Sequence, residues 1–135
     1  MAGSLLVNTI NTDTVGGVFT TQNAVTGIAK AWVFLSGSAT APTINGSFNV
    51  SSITRNGTGD YYINFTTAMA NANYAAVVNG GIDVANANFT TGMAYTWNTA
   101  PYYQAPTTTQ VRVLWVNSSG VPKDPYYGAI SVFGA

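Results

Sequence analysis

The sequence predicts an all-β fold, an antiparallel β-sandwich or jelly-roll-like single domain of about eight strands with an extended N-terminal arm, and three observations carry that expectation. Glutamate, a strong helix former, is absent, while Thr, Val, Tyr, Phe and Trp recur in short runs. Several runs alternate apolar with more polar residues at a period of two, which is the side-chain period of a strand with one face buried. Gly, Asn, Ser and Pro fall between the runs in turn-forming combinations.

Taken in chain order, Leu5 to Ile10 reads as the first strand. Thr12 to Ile28 carries no strand pattern and reads as a long loop or arm. Residues 1–28 are accordingly assigned to an arm and lead-in that makes attachment or oligomer contacts, and residues 29–135 to the sandwich module. Lys30 to Leu35 and Ala75 to Val78 are dense apolar runs, expected to be strands covered on both faces. Phe48 to Ile53 is a further strand. In Asp60 to Thr66, Tyr61, Ile63 and Phe65 alternate with Tyr62, Asn64 and Thr66, and Met93, Tyr95, Trp97 and then Val111, Val113, Trp115 repeat the device. Ile130 to Phe133 closes the set. Turns are expected at Ser36-Gly37, Asn45-Gly46, Asn56-Gly57 with Gly59, Asn79-Gly80-Gly81, Ser119-Gly120 and Lys123-Asp124-Pro125. Thr99 to Thr108 is a second long loop, and loops of that length are functional or rest on a neighbouring subunit.

Composition removes several function classes. At 135 residues the chain can bury a core without staples, and it has no cysteine to make them. That leaves the redox compartment open and removes thiolate chemistry. Only 6% of residues are charged, against about a quarter in an ordinary domain. With 47% hydrophobic residues and a net charge of zero, the chain is outside the compositional range of disorder and lacks the electrostatic basis for tracking nucleic-acid phosphates. So few charges would also disperse a monomer poorly, which points to assembly. No segment reaches the roughly 18 consecutive apolar residues of a membrane helix, and Met1 to Ile10 lacks the pattern of a secretory signal. The chain is therefore expected to be soluble or particle-bound and to insert in no membrane.

Little catalytic chemistry is legible. Histidine is absent, so triads and the commonest general base are excluded. A glycosidase would need two carboxylates, but Asp13, Asp60, Asp83 and Asp124 each stand in a context where a turn role, accepting backbone hydrogen bonds, is sufficient. No Asp-x-Asp spacing suggests calcium, and neither Gly16-Gly17 nor Asn79-Gly80-Gly81 matches a phosphate loop with its lysine and helix. Asn-x-Ser/Thr triplets at Asn45, Asn49, Asn56, Asn64, Asn88 and Asn117 are what a chain rich in these residues produces by chance. No enzyme, cofactor or metal is expected.

The aromatic pairs are the candidate binding residues. Tyr102-Tyr103 lies between Pro101 and Pro106, and Tyr126-Tyr127 follows Pro125. Adjacent aromatics in a loop cannot easily both enter one core, so at least one ring of each pair is expected at the surface or against a partner, either at a subunit interface or on a receptor.

The segments Lys30-Ala31-Trp32-Val33, Ser47 to Tyr61 (SFNVSSITRNGTGDY), Asn64 to Met69 and Asn73-Tyr74, preceded by Thr21 to Ile28 (TQNAVTGI), together resemble a module of bacteriophage tail fibres, familiar above all from phages of cyanobacteria. The resemblance covers about Leu5 to Val78; from Asn79 onward the reading rests on pattern alone. It implies a β-rich fibre-tip or virion-surface domain, trimeric in many cases, with loops that meet the host envelope and with no catalytic residues. The expected partners are further copies in a homotrimer, other phage structural proteins of capsid or tail, and a host surface glycan or protein. One departure stands out, because tail fibres are long chains and this one is nearly all module. It is expected to be either a fibre component held by another protein through its N-terminal arm, or a capsid decoration (cement) protein or head fibre.

Overall fold

The structure is a computed structural model and describes residues 9–11, 18–20, 27–37, 40–81, 90–94 and 104–134. Ten strands run through them: β1 (Thr9–Asn11), β2 (Val18–Thr20), β3 (Ala31–Ser36), β4 (Thr43–Phe48), β5 (Val50–Gly57), β6 (Asp60–Phe65), β7 (Tyr74–Gly80), β8 (Thr90–Ala94), β9 (Gln110–Asn117) and β10 (Gly128–Gly134). Eight form two four-stranded sheets, ordered β4-β3-β10-β7 and β5-β6-β9-β8, with antiparallel pairing throughout. The chain is an antiparallel β-sandwich. β1 and β2 pair with each other in a separate two-stranded sheet, so the stretch expected to be plain arm contains a strand.

Alternation decides what goes inside. Ala31, Val33 and Leu35 of β3 and Ile130 and Val132 of β10 meet Tyr61, Ile63 and Phe65 of β6 and Val111, Val113 and Trp115 of β9 in one continuous core. Trp115 ties the sheets together. Its ring meets Tyr61 edge to face at 5.3 Å, and its Nε1–H donates to the Asn79 carbonyl of the opposite sheet at 3.1 Å. Gly128 leaves room for it, because a Cβ there would come within 2.7 Å of the indole. Tyr74 closes another part of the core, edge to face on Phe65 and donating its hydroxyl hydrogen to the Thr107 or Gln110 carbonyl.

Several expected elements move. Phe48 to Ile53 is two strands, because Asn49 takes a left-handed conformation (φ 54°) and turns the chain from one sheet into the other. Its carboxamide stabilises the corner by accepting from the Thr67 amide at 2.8 Å and donating to the Lys30 carbonyl at 3.0 Å. Asn and Asp are the non-glycine residues that tolerate this conformation best, since their side chains satisfy nearby backbone groups. Asn45-Gly46 is a bulge inside β4, where the register with β3 slips between Phe34 and Leu35. Asn56 is likewise an extra residue in β5, and the hairpin turns at Thr58-Gly59, with Gly59 at φ 72°.

The coverage expected for the dense apolar runs is overturned. In β3, Trp32 and Phe34 point out of the sandwich and are exposed, as Val77 is in β7. Among the described residues it is β9 that is buried on both faces, since Arg112, Leu114 and Val116, on the face away from the core, are buried as well.

Candidate functional site

Most of the exposed large hydrophobic side chains among the described residues lie on or beside the outer face of the β4-β3-β10-β7 sheet. Residues opposite each other in an antiparallel sheet project to the same side, so the register writes the face as rows. One row runs Phe48, Trp32, Ser131, Val77, and the next runs Gly46, Phe34, Ala129, Asn79. Phe48, Trp32, Phe34 and Val77, with Tyr126 and Tyr127 beside them, are each 42–60% exposed. None of these positions carries a charge. Exposed apolar side chains clustered in this way make the face a candidate contact surface.

Tyr126 and Tyr127 are built into this face. The segment Asp124-Pro125-Tyr126-Tyr127-Gly128 buries its first two residues and its last, and presents both tyrosines. Asp124 is the anchor. It accepts from Arg55 through both carboxylate oxygens, at 3.1 and 2.8 Å, from the Gly59 amide at 2.9 Å and from the Tyr61 hydroxyl at 2.5 Å. Pro125 is fully buried, and its carbonyl accepts from the Gly37 amide at 3.0 Å. Burial alone would raise the Asp124 carboxyl, but the hydrogen bonds of Arg55, Gly59 and Tyr61 and the Arg55 charge outweigh it and hold the group below its ordinary value. Burial, reinforced by the Asp124 charge, pushes the Tyr61 hydroxyl far above its ordinary value, so it remains a donor. The base under the tyrosines is thus rigid and ionised. Tyr127 stacks on Phe34 (centroids 5.4 Å, planes at 21°), and Tyr126 stands edge-on to Tyr127 at 4.6 Å.

Beside Tyr127 the face dips into a shallow open depression of about 140 Å³. Phe34 and Tyr127 form one wall and Asn79 lines the other side, with Ala129, Gly128, Gly80 and Gly81 between them. It exists because the residues between Phe34 and Asn79 are small. Neither the Asn79 carboxamide nor the Tyr127 hydroxyl makes a hydrogen bond to another part of the chain among the described residues.

The other residues singled out in the sequence are placed as follows. Asp60 is held by Arg112 at 2.8 and 2.5 Å and accepts from Asn56 Nδ2 at 2.7 Å, with the Arg112 guanidinium lying over the Tyr62 ring. Asp124 does accept a backbone amide, that of Gly59, as a turn role requires, but both Asp60 and Asp124 also close ion pairs with arginines distant in sequence. Asp13, Asp83, Tyr102, Tyr103, Asn88 and Gly16-Gly17 lie outside the described residues. Asn49 and Asn64 are committed to the fold, Asn64 donating to Ser52 and Thr54. Among the described residues no cluster of three potential metal ligands occurs, and no helix is long and apolar enough to cross a membrane.

Sequence reasoning missed Trp32, Phe34, Phe48 and Asn79. A signal for two of them was present, since β3 alternates Ala31, Val33 and Leu35 with the aromatics Trp32 and Phe34, a two-faced pattern hidden in an apolar run. Asn79 had no such signal, because only the pairing of β7 with β10 brings it level with Phe34. Set against known proteins, the chain matches no family model, no curated protein and no solved structure.

Proposed function

We propose that this chain is a non-enzymatic structural module of a bacteriophage virion surface, of the tail-fibre type, which serves host attachment. The observation that carries the reading is the uncharged aromatic face of Trp32, Phe34, Phe48, Tyr126 and Tyr127 on a rigid sandwich. Exposed aromatic groups on a fixed scaffold suit contact with another surface, because little side-chain entropy is lost on docking. The engagement of Asp60 and Asp124 by arginines supports a structural rather than a hydrolytic use of these carboxylates. The resemblance of the segments between Leu5 and Val78 to tail-fibre modules supplies the particle context.

A second reading is favoured by the breadth of the same face. It spans all four strands of one sheet, a shape that suits burial between subunits, and a capsid decoration (cement) protein or head fibre would use it so. In either case the partners are further copies of this chain, as a homotrimer, and other virion proteins. Copy number and position in the intact particle separate the two, measured by cryo-electron microscopy and quantitative mass spectrometry. A few oligomers at the tail are expected; hundreds of copies over the head would replace attachment by decoration, and absence from purified particles would end the virion reading.

A further inference from the structure

We propose that the depression beside Tyr127 is a subsite for one neutral pyranose ring of a glycan, which packs against the side of the Phe34–Tyr127 pair and is hydrogen-bonded by the Asn79 carboxamide. The biological source of that glycan rests on the attachment reading; the chemistry of the site does not. Its dimensions come first. Asn79, Ala129 and Phe34 sit on three neighbouring strands in one row, so the amide and the aromatic wall are two strand spacings apart, about 10 Å. A floor of Ala129, Gly80 and Gly128 lies between. At about 140 Å³ the space is well below the roughly 300 Å³ of a drug-sized pocket. It admits one ring, not a whole ligand.

The two walls then specify the ring. A pyranose has an apolar C–H face, which matches an aromatic wall, and a rim of hydroxyls that both donate and accept. Asparagine offers two donors and an acceptor on one plane, which serves a pair of neighbouring hydroxyls, and this carboxamide makes no hydrogen bond to another part of the chain among the described residues. A purely apolar occupant, such as an aromatic side chain, would cover the amide and leave it unsatisfied, at a cost in affinity. An acidic sugar would bring a charge to a site with no cation in its lining. A neutral ring satisfies both walls. The Phe34–Tyr127 stack and the ion-paired Asp124 preform the site, so binding need not order it.

The test is a titration of the full chain with methyl α-glucoside, methyl β-galactoside and methyl α-mannoside, with methyl glucuronide as the charged control, followed by NMR at the Asn79 carboxamide and the Tyr127 and Ala129 amides. At least one neutral glycoside is expected to shift these resonances with a Kd on the order of 1 mM, a single-ring affinity. Asn79→Ala and Tyr127→Ala should each weaken it about tenfold or more, while Val121→Ala, exposed in the turn after β9 and outside the lining of the depression, should leave it unchanged. All three are exposed positions, and amide spectra report whether each variant is folded. No shift with any neutral glycoside, shifts that persist in both pocket variants, or tighter binding of the glucuronide would overturn the proposal. So would shifts of the same resonances with protein concentration alone, since another copy would then be the occupant. Sugar binding in a chain found in hundreds of copies on the head would sink the attachment reading and leave the subsite standing.

Discussion

Four charged side chains form two locks, and they differ in what breaks them. Asp60 and Arg112 are both buried, so removal of one leaves the other as an uncompensated charge; Arg112→Met is expected to lose about 3–5 kcal/mol. The double variant Asp60→Leu with Arg112→Met should recover much of that loss, which urea unfolding of the three proteins would reveal. The Asp124 carboxyl lies below its ordinary value of 3.8 in the folded chain. Its contribution is therefore complete above that pH and is lost as pH falls through the lowered value. The thermal midpoint of the wild type should drop on acidification below about pH 4 by more than that of Asp124→Asn, which lacks this titration and should start lower at neutral pH. Equal acid sensitivity of the two proteins would remove Asp124 from the account. Gly59 belongs to the same lock: at φ 72°, and with a Cβ that would sit 2.4 Å from the Trp115 carbonyl, Gly59→Ala is expected to cost at least about 1–3 kcal/mol.

β3 and β9 show why an apolar run does not report its own burial. β3 presents Trp32 and Phe34 outward on an open face, whereas the outward Leu114 and Val116 of β9 are buried. The alternation within β3 marks two faces, but neither strand says whether its outward face is covered, because coverage depends on what lies over the sheet. The consequence is measurable. Phe48→Ser, at an exposed outward position of β4, should change unfolding stability by about 0.5 kcal/mol or less, while Trp115→Ala, whose indole bridges the sheets, should cost about 3–5 kcal/mol. If Phe48→Ser proved as damaging as Trp115→Ala, the β4 face would be part of a core and not a contact surface. The strand count has a similar lesson. Eight strands were expected and eight build the sandwich, but not the same eight, since Asn49 divides one expected strand in two and β1 pairs outside the two sheets.

For the whole molecule, the scarcity of charge and the aromatic face bear on one property, self-association. Sedimentation across micromolar concentrations should show an oligomer, a homotrimer on the proposed reading. Trp32→Ser combined with Phe48→Ser should shift it toward monomer if this face is the interface. An unchanged oligomer would place the interface elsewhere and leave the face free for a host ligand; a wild-type monomer at all concentrations would remove assembly through any face of the isolated chain.

The all-β class, the antiparallel sandwich and the core positions Tyr61, Ile63, Phe65, Val111, Val113 and Trp115 followed from the sequence alone, because a period of two and punctuation by turn residues are local properties of the chain. That at least one ring of Tyr126-Tyr127 stays out of the core was also legible, since adjacent rings after a proline cannot easily both enter one core, and the structure exposes both. The Asp124–Arg55 and Asp60–Arg112 pairs, the open face over Trp32 and Phe34 and the alignment of Asn79 with Phe34 were decided only by tertiary structure. Each joins residues far apart in the chain, and strand order and register, which bring them together, depend on how two sheets close over a shared core rather than on any local pattern.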